Sequence, residues 1–199
     1  MRDKTVAIID SGGANIASLR NALDRLGANH VITSNAARIR SASHVILPGV
    51  GAAADAMNRI RTRKLAGLIP SLSQPVLGIC LGMQLLADGS EEDDADCLGI
   101  VPGNSRRLNS SPGNPVPNMG WCRVHHDSSH DLFDGIADGS YFYFLHSFAL
   151  DVADYSLGTA MHDTTFTAAL RQDNFVATQF HPEKSSTNGA RLLANFLRM

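Results

Sequence analysis

Three short apolar runs, Val6-Ala-Ile-Ile9, Val45-Ile-Leu47 and Val76-Leu-Gly-Ile79, each break off into a glycine-bearing turn. The runs do not alternate with polar residues, so they suit strands buried on both faces, the signature of a parallel sheet covered by helices. Helical spacing resumes after each turn. Ile16, Leu19, Leu23 and Leu26 follow Asp10-Ser-Gly-Gly-Ala-Asn15, with Asn15 placed as an N-cap and Gly27 as a C-cap. A helix through Met57 and Ile60 follows Pro48-Gly-Val-Gly51, and Met83 to Ala87 reads as the first turns of another. A further strand is expected around His30 to Thr33. Right-handed crossovers between such strands bring Gly49, Val50 and Cys80 to one edge of the sheet. The Gly12-Gly13 pair fits neither a dinucleotide fingerprint nor a P-loop and reads as turn chemistry.

The texture changes after Ala87. Glu91-Glu-Asp-Asp94 reads as a solvated loop, Leu98 to Leu108 as a strand pair or hairpin around Pro102-Gly103, and Ser110 to Pro117 as a turn-rich segment. Strands are expected at Tyr141 to Phe148, Leu157 to Met161, Phe166 to Leu170 and Phe175 to Phe180, followed by an amphipathic helix carrying Ala190, Leu193, Phe196 and Leu197. The expected fold is therefore α/β, a mostly parallel sheet with additional antiparallel strands in the second half, and residues 1–199 form a single domain.

Composition narrows the function classes. Hydrophobic residues make up 44% and the formal net charge is −2, which suits a globular core without the basic stripe of a nucleic-acid binder. No apolar stretch is long enough to cross a membrane, and the N-terminus carries no signal-peptide pattern, so no membrane partner is expected. The three cysteines, Cys80, Cys97 and Cys122, are too few and too scattered for a disulfide framework and fit a reducing, cytoplasmic setting. No metal-ligand spacing appears, and no metal or cofactor is expected.

The chemistry gathers around Cys80. Gly78-Ile-Cys-Leu-Gly82 has the strand–sharp turn–helix logic of a nucleophile elbow, with sulfur in place of oxygen. A helix N-terminus behind the thiol would favour thiolate and offer free N–H groups. The same spacing also fits an ordinary buried cysteine. A nucleophilic cysteine needs a base and a group that orients the base. His181 leaves the last strand, and Glu183, two residues on in an extended stretch, would point the same way. His146 is a rival base, but it has no acidic residue within two positions. Pro48-Gly-Val-Gly51 could supply an oxyanion hole or be a plain strand-to-helix turn. Trp121, the only tryptophan, could be a core aromatic or a partner contact.

Gly78-Ile-Cys-Leu-Gly-Met-Gln84, His181-Pro-Glu183 and Pro48-Gly-Val-Gly51 together resemble the class I (triad) glutamine amidotransferases. The finer strings Pro117-Asn-Met-Gly-Trp121, Tyr143-Phe-Leu-His-Ser-Phe148 and Gln179-Phe-His-Pro-Glu-Lys-Ser185 are similar to those of the glutaminase subunits that serve imidazole glycerol phosphate synthases. The resemblance implies a flavodoxin-like sheet and a triad in which Cys80 attacks the side-chain amide of glutamine, His181 moves the proton and Glu183 orients His181. It implies backbone N–H groups of Val50 and Leu81 at the oxyanion, with Gly49 and Gly51 in the oxyanion loop. Gln84, Ser147 and Phe148 would hold glutamine. The ammonia would pass to a cyclase subunit of (β/α)₈ barrel fold in a heterodimer serving histidine biosynthesis. Asn15, Asn118, Trp121 and Lys184 lie on strings that, in the family, face that partner.

The chain departs from the family pattern at Ser11, where a tyrosine is usual, at Ala14-Asn15, where a Gly-Asn pair is usual, and at Phe148, which lacks a tyrosine's hydroxyl. These departures bear on docking and signalling between subunits and leave Cys80, His181 and Glu183 untouched. The strings also admit another triad amidotransferase, such as the glutaminase of pyridoxal 5′-phosphate synthase, a catalytically silent subunit on the same fold, or a thiol hydrolase of esters. Asn118-Met-Gly-Trp121 speaks against the first, and the intact triad set against the second. The third would make Gln84 and the Tyr143 string accidental.

Overall fold

The computed structural model describes residues 5–10 and 16–199. In chain order the elements are β1 (Thr5–Ile9), α1 (Ala17–Arg25), β2 (Asn29–Thr33), α2 (Ala36–Ser41), β3 (His44–Gly49), α3 (Ala53–Thr62), β4 (Val76–Cys80) and α4 (Leu81–Gln84). They continue with β5 (Gly89–Ser90), β6 (Ala95–Asp96), β7 (Asn104–Arg107), β8 (Asn118–His126), β9 (Ser140–His146), β10 (Phe148–Ala149), β11 (Ser156–His162), β12 (Thr164–Gln172), β13 (Phe175–Thr178) and α5 (Ser186–Phe196). The expected N-cap Asn15, the Gly12-Gly13 turn, and Ser11 and Ala14 lie outside the described residues.

A nine-stranded sheet runs in the order β2-β1-β3-β4-β13-β12-β11-β8-β9. From β2 to β13 every neighbouring pair is parallel. From β13 to β9 every pair is antiparallel. The apolar runs form the parallel block: β3 and β4 are buried along their whole length. One face packs on α3 through Ala53, Met57 and Ile60, and the other on α1 and α5 through Leu19, Leu23, Leu193 and Phe196. Burying both faces is what the unbroken apolar pattern requires. A small sheet, β10-β7-β5-β6, sits beside the cleft.

Two expectations need correction. The helix after Cys80 is a single turn ending at Gln84 rather than a helix running to Ala87. The carbonyls of Leu85, Leu86 and Ala87 instead accept from the backbone N–H groups of Leu98, Ile100, Val101 and Gly99. That pairing also removes the expected hairpin over Leu98 to Leu108, of which only β7 is a strand. Each segment meets the other's backbone hydrogen bonds, a tertiary solution that local periodicity does not encode. Glu91 and Glu92 are likewise more than a solvated loop. Glu92 Oε2 accepts from Ala53 N at 2.9 Å, capping α3 where Ala52 has no side chain to do so.

Candidate active site

Cys80 ends β4 with φ 54° and ψ −111°, a left-handed backbone that costs a non-glycine residue on the order of 1–3 kcal/mol. Close packing beneath it holds the strain in place. A Cβ on Gly82 would lie 1.9 Å from the Leu47 carbonyl oxygen, so only glycine lets the turn after the cysteine rest on β3. Gly49 is the register partner of Cys80 across β3 and β4, which brings the Pro48–Gly51 turn beside the sulfur as the crossover argument requires.

β13 lies on the other side of β4, with Thr178 paired to Ile79. The chain leaving β13 therefore arrives at the same edge as Cys80. There His181 N donates to the Tyr143 carbonyl at 2.9 Å, while Ser185 Oγ donates to the His181 carbonyl at 2.7 Å and accepts from Tyr143 N at 3.0 Å. These bonds pin the segment to β9. His181 Nδ1 donates to Glu183 Oε1 at 2.8 Å, and both side chains are more than nine-tenths buried. Glu183 reaches the ring from a tight turn, Pro182–Lys184, rather than from an extended stretch. With Nδ1 committed to the carboxylate, Nε2 is the ring nitrogen left to serve the Cys80 sulfur, which lines the same cleft. Burial works against a charged ring, but the hydrogen bonds and charges of Cys80 and Glu183 outweigh it and hold the His181 pKa up at about 10.

The rival base is excluded by its own hydrogen bonds. His146 Nδ1 donates to the Phe148 carbonyl at 2.8 Å, and Nε2 accepts from Asn118 Nδ2 at 3.0 Å, so neither nitrogen is free to take a proton from sulfur. Burial pushes its pKa down to about 4, with the neighbouring His162 and His181 adding to the fall against the Phe148 hydrogen bond.

A cleft of about 270 Å³ opens over the sulfur, lined by Val50, Gly51, Cys80, Leu81, Gln84, Glu92, Ser147, Phe148, His181 and Lys184 among others. It gathers the residues expected at the oxyanion, Val50 and Leu81, and those expected around glutamine, Gln84, Ser147 and Phe148. Gln84 Nε2 donates to the Phe148 carbonyl at 2.8 Å. The Phe148 ring, without the family's hydroxyl, lies beneath the Arg107 guanidinium at 5.9 Å.

Of the residues expected to face a partner, Asn15 lies outside the described residues. Trp121 is 51% exposed and Lys184 Nζ sits 5.8 Å from the Tyr143 ring centroid at the cleft. Asn118 points inward to His146 and is buried, so any contribution it makes to docking is through the strand it anchors. Sequence reasoning gave no role to Gln179, a buried amide within 3.8 Å of the sulfur. Its signal was an amide inside the mostly apolar Phe175–Phe180 stretch.

A family model for glutamine amidotransferase class-I matches residues 7–199. The chain belongs to the class I glutamine amidotransferase family. A protein of Legionella pneumophila (strain Paris) named imidazole glycerol phosphate synthase subunit HisH 2 is 46% identical over 194 residues, covering 98% of each chain. A protein of Haemophilus influenzae named imidazole glycerol phosphate synthase subunit HisH is 46% identical over 192 residues, covering 96% of each. A crystal structure of a glutamine amidotransferase superposes with a TM-score of 0.73 at 19% identity over 97% of each chain, a likeness of fold.

Proposed function

We propose that this amidotransferase is the glutaminase subunit of an imidazole glycerol phosphate synthase, supplying ammonia for histidine biosynthesis. The observation that carries the chemistry is the convergence in one cleft of Cys80, on its strained elbow, with His181, whose ring is held from behind by Glu183. Thiolate sulfur attacks the side-chain carbonyl carbon of glutamine, and the carbonyl π pair moves to oxygen. The backbone N–H groups of Val50 and Leu81 receive that oxyanion. His181 delivers its proton to the departing nitrogen, so ammonia leaves and a thioester remains. His181 then removes a proton from water, which adds to the thioester. Glutamate leaves, and sulfur recovers its starting state. Glu183 holds the ring with Nε2 toward sulfur throughout. Gln84 with Ser147 and Phe148 seats the amino-acid end.

The ammonia passes to a cyclase subunit of (β/α)₈ barrel fold, which joins it to a ribotide to give imidazole glycerol phosphate. The docking face is the β8–β9 hairpin at the edge of the large sheet. Met119, Trp121, Tyr141 and Leu145 are exposed there, and Met119 pairs with Leu145 across the strands. Leu145 and Lys184 also line the cleft, so a partner seated on this face covers the cleft mouth and receives ammonia out of water. The placement of apolar side chains on an open edge is what a partner surface requires.

The test compares wild type with Cys80→Ala, each mixed with a cyclase subunit. The variant is expected to lose glutamine-dependent synthesis while ammonia-dependent synthesis continues. Glutamine-dependent synthesis by the variant would refute the assignment of the nucleophile. The same mixtures test the partner: a glutaminase rate that does not change when the liganded cyclase is added would count against coupling through the Pro48–Gly51 loop.

A further inference from the structure

The one-turn helix behind Cys80 provides N–H groups but little macrodipole, because few aligned peptide units stand behind it. Other groups must hold the sulfur. Gln179 lies just beyond β13, is completely buried, and is anchored by its backbone N–H to the Ala168 carbonyl at 2.8 Å. Its side chain stands between Gln84 and Cys80. Gln84 Nε2 donates to Gln179 Oε1 at 3.0 Å, and Gln179 Nε2 donates to Cys80 Sγ at 3.8 Å.

The direction of this relay is fixed by chemistry. The Phe148 carbonyl can only accept, so the end of Gln84 that meets it at 2.8 Å must be the NH₂ group. That same NH₂ meets Gln179, so Gln179 must present its carbonyl there. Gln179 is then left with its NH₂ turned to the sulfur. Turning either amide round would set two acceptors, or two donors, against each other in a buried place. One backbone carbonyl thus determines, through two side chains, that a donor faces Cys80. His146 Nδ1 donates to the same carbonyl at 2.8 Å and so helps hold it in position.

We propose that Gln179 is a positioning residue whose side-chain N–H holds the Cys80 sulfur in its reactive seat, favours the thiolate, and ties that seat to Gln84 in the glutamine cleft. An N–H aimed at sulfur strengthens when the sulfur becomes negative, so it favours the form that attacks. The bond from Cys80 Sγ to the Leu145 carbonyl at 3.6 Å is available only while sulfur carries its proton, so the two contacts favour opposite protonation states. The inference rests on Cys80 being the nucleophile.

The test is the pH dependence of Cys80 alkylation by iodoacetamide, followed peptide by peptide in the full chain. Gln179→Met and Gln179→Leu replace the amide with apolar groups of similar size. Their alkylation profile is expected to move upward by about half a pH unit or more. Their kcat for glutamine is expected to fall about tenfold or more, the loss of a hydrogen bond to a charged atom. A purely structural role would lower the denaturation midpoint and leave the alkylation profile in place. Folded variants with the wild-type profile overturn the proposal. If both variants fail to fold, nitrogen-15 NMR of the wild type decides. The chain has four glutamines, and the Gln179 NH₂ signal should track the Cys80 titration and cease to do so in Cys80→Ala. A signal that ignores the titration overturns the proposal. Glutamine hydrolysis surviving in Cys80→Ala would defeat the nucleophile assignment instead. An inactive Cys80→Ala beside unshifted Gln179 variants defeats only the role of Gln179.

Discussion

Gly49 and Cys80 are directly opposed across β3 and β4, and the backbone at Gly49 lies so near the cysteine's turn that an added Cβ would fall 2.7 Å from Gly82 N and 2.8 Å from Leu81 Cβ. The Pro48–Gly51 turn, proposed to receive the oxyanion, and Cys80, the proposed nucleophile, are thereby joined in one rigid contact at Gly49. The freedom left to the loop begins after it, at the exposed Val50 and at Gly51 with φ 88°. Binding of glutamine or of a partner can therefore reorient the Val50 peptide without moving the sulfur.

The glycine after the elbow, Gly82, is intolerant of any side chain through its own contact with β3. Gly82→Ala puts a methyl against the Leu47 carbonyl oxygen, which the buried strand cannot yield. The expected cost is roughly 3 kcal/mol or more, seen in calorimetry as a fall in Tm on the order of 10 °C. A variant as stable as wild type would show that β3 and the elbow are not in contact.

Glu183→Gln keeps the shape beside His181 but removes the charge that supports its protonated form. The expected result is a loss of kcat for glutamine hydrolysis of roughly 10²–10⁴-fold. KM should change little, because Glu183 does not line the main cleft. An equal loss confined to KM would place Glu183 in substrate binding instead.

The two histidines predict opposite pH behaviour. His181, raised to about 10, holds its proton in the folded state above the pH at which an unfolded histidine releases it. Its contribution to stability is whole below about pH 6.5 and is lost as pH rises through about 10. His146, lowered to about 4, binds fewer protons folded than unfolded. Its neutral, hydrogen-bonded form contributes above about pH 6.5 and is lost as pH falls toward about 4. Denaturation midpoints measured against pH should show a shallower alkaline decline in His181→Gln and a shallower acid decline in His146→Asn. Reversal of these assignments would mean the two rings carry each other's hydrogen bonds.

Glu92 caps α3 from 39 positions away in the chain. Glu92→Ala removes that cap and is expected to cost about 1 kcal/mol, a Tm lower by roughly 2–4 °C. Because Glu92 also lines the cleft, the same variant tests whether the carboxylate affects glutamine: a raised KM at unchanged kcat would place it beside the substrate.

Trp121→Glu should separate docking from folding. Half the tryptophan is already in water, so its replacement is expected to shift stability by less than about 1 kcal/mol. Binding of a cyclase subunit, read by calorimetry, should weaken by about thirtyfold or more, as expected for an aromatic anchor. Unchanged affinity would move the docking face elsewhere.

Much of the parallel block was legible because its residues leave one solution. Val45-Ile-Leu47 and Val76-Leu77 have no polar face to turn outward, so they become central strands buried on both sides. Once they are neighbours, glycine spacing and crossover handedness place Gly49 beside Cys80. His181 and Glu183 were legible as a pair, although their contact is made by a turn and not by strand alternation. The short helix at Leu81, the missing hairpin before β7 and the capping role of Glu92 were not legible. Each depends on a hydrogen-bond partner from elsewhere in the chain, which a local pattern cannot name.

By itself, then, the sequence determined which side chains are candidates for the chemistry and that the apolar strands must lie side by side, because hydrophobic burial acts on residue type and spacing. Only the tertiary structure separated His181 from His146, by tying up both nitrogens of the latter, and only it turned Gln179 toward the sulfur. Those choices turn on which nitrogen is already hydrogen-bonded and which oxygen can only accept, and such properties exist only when distant segments meet in a buried place where every polar group must find a partner.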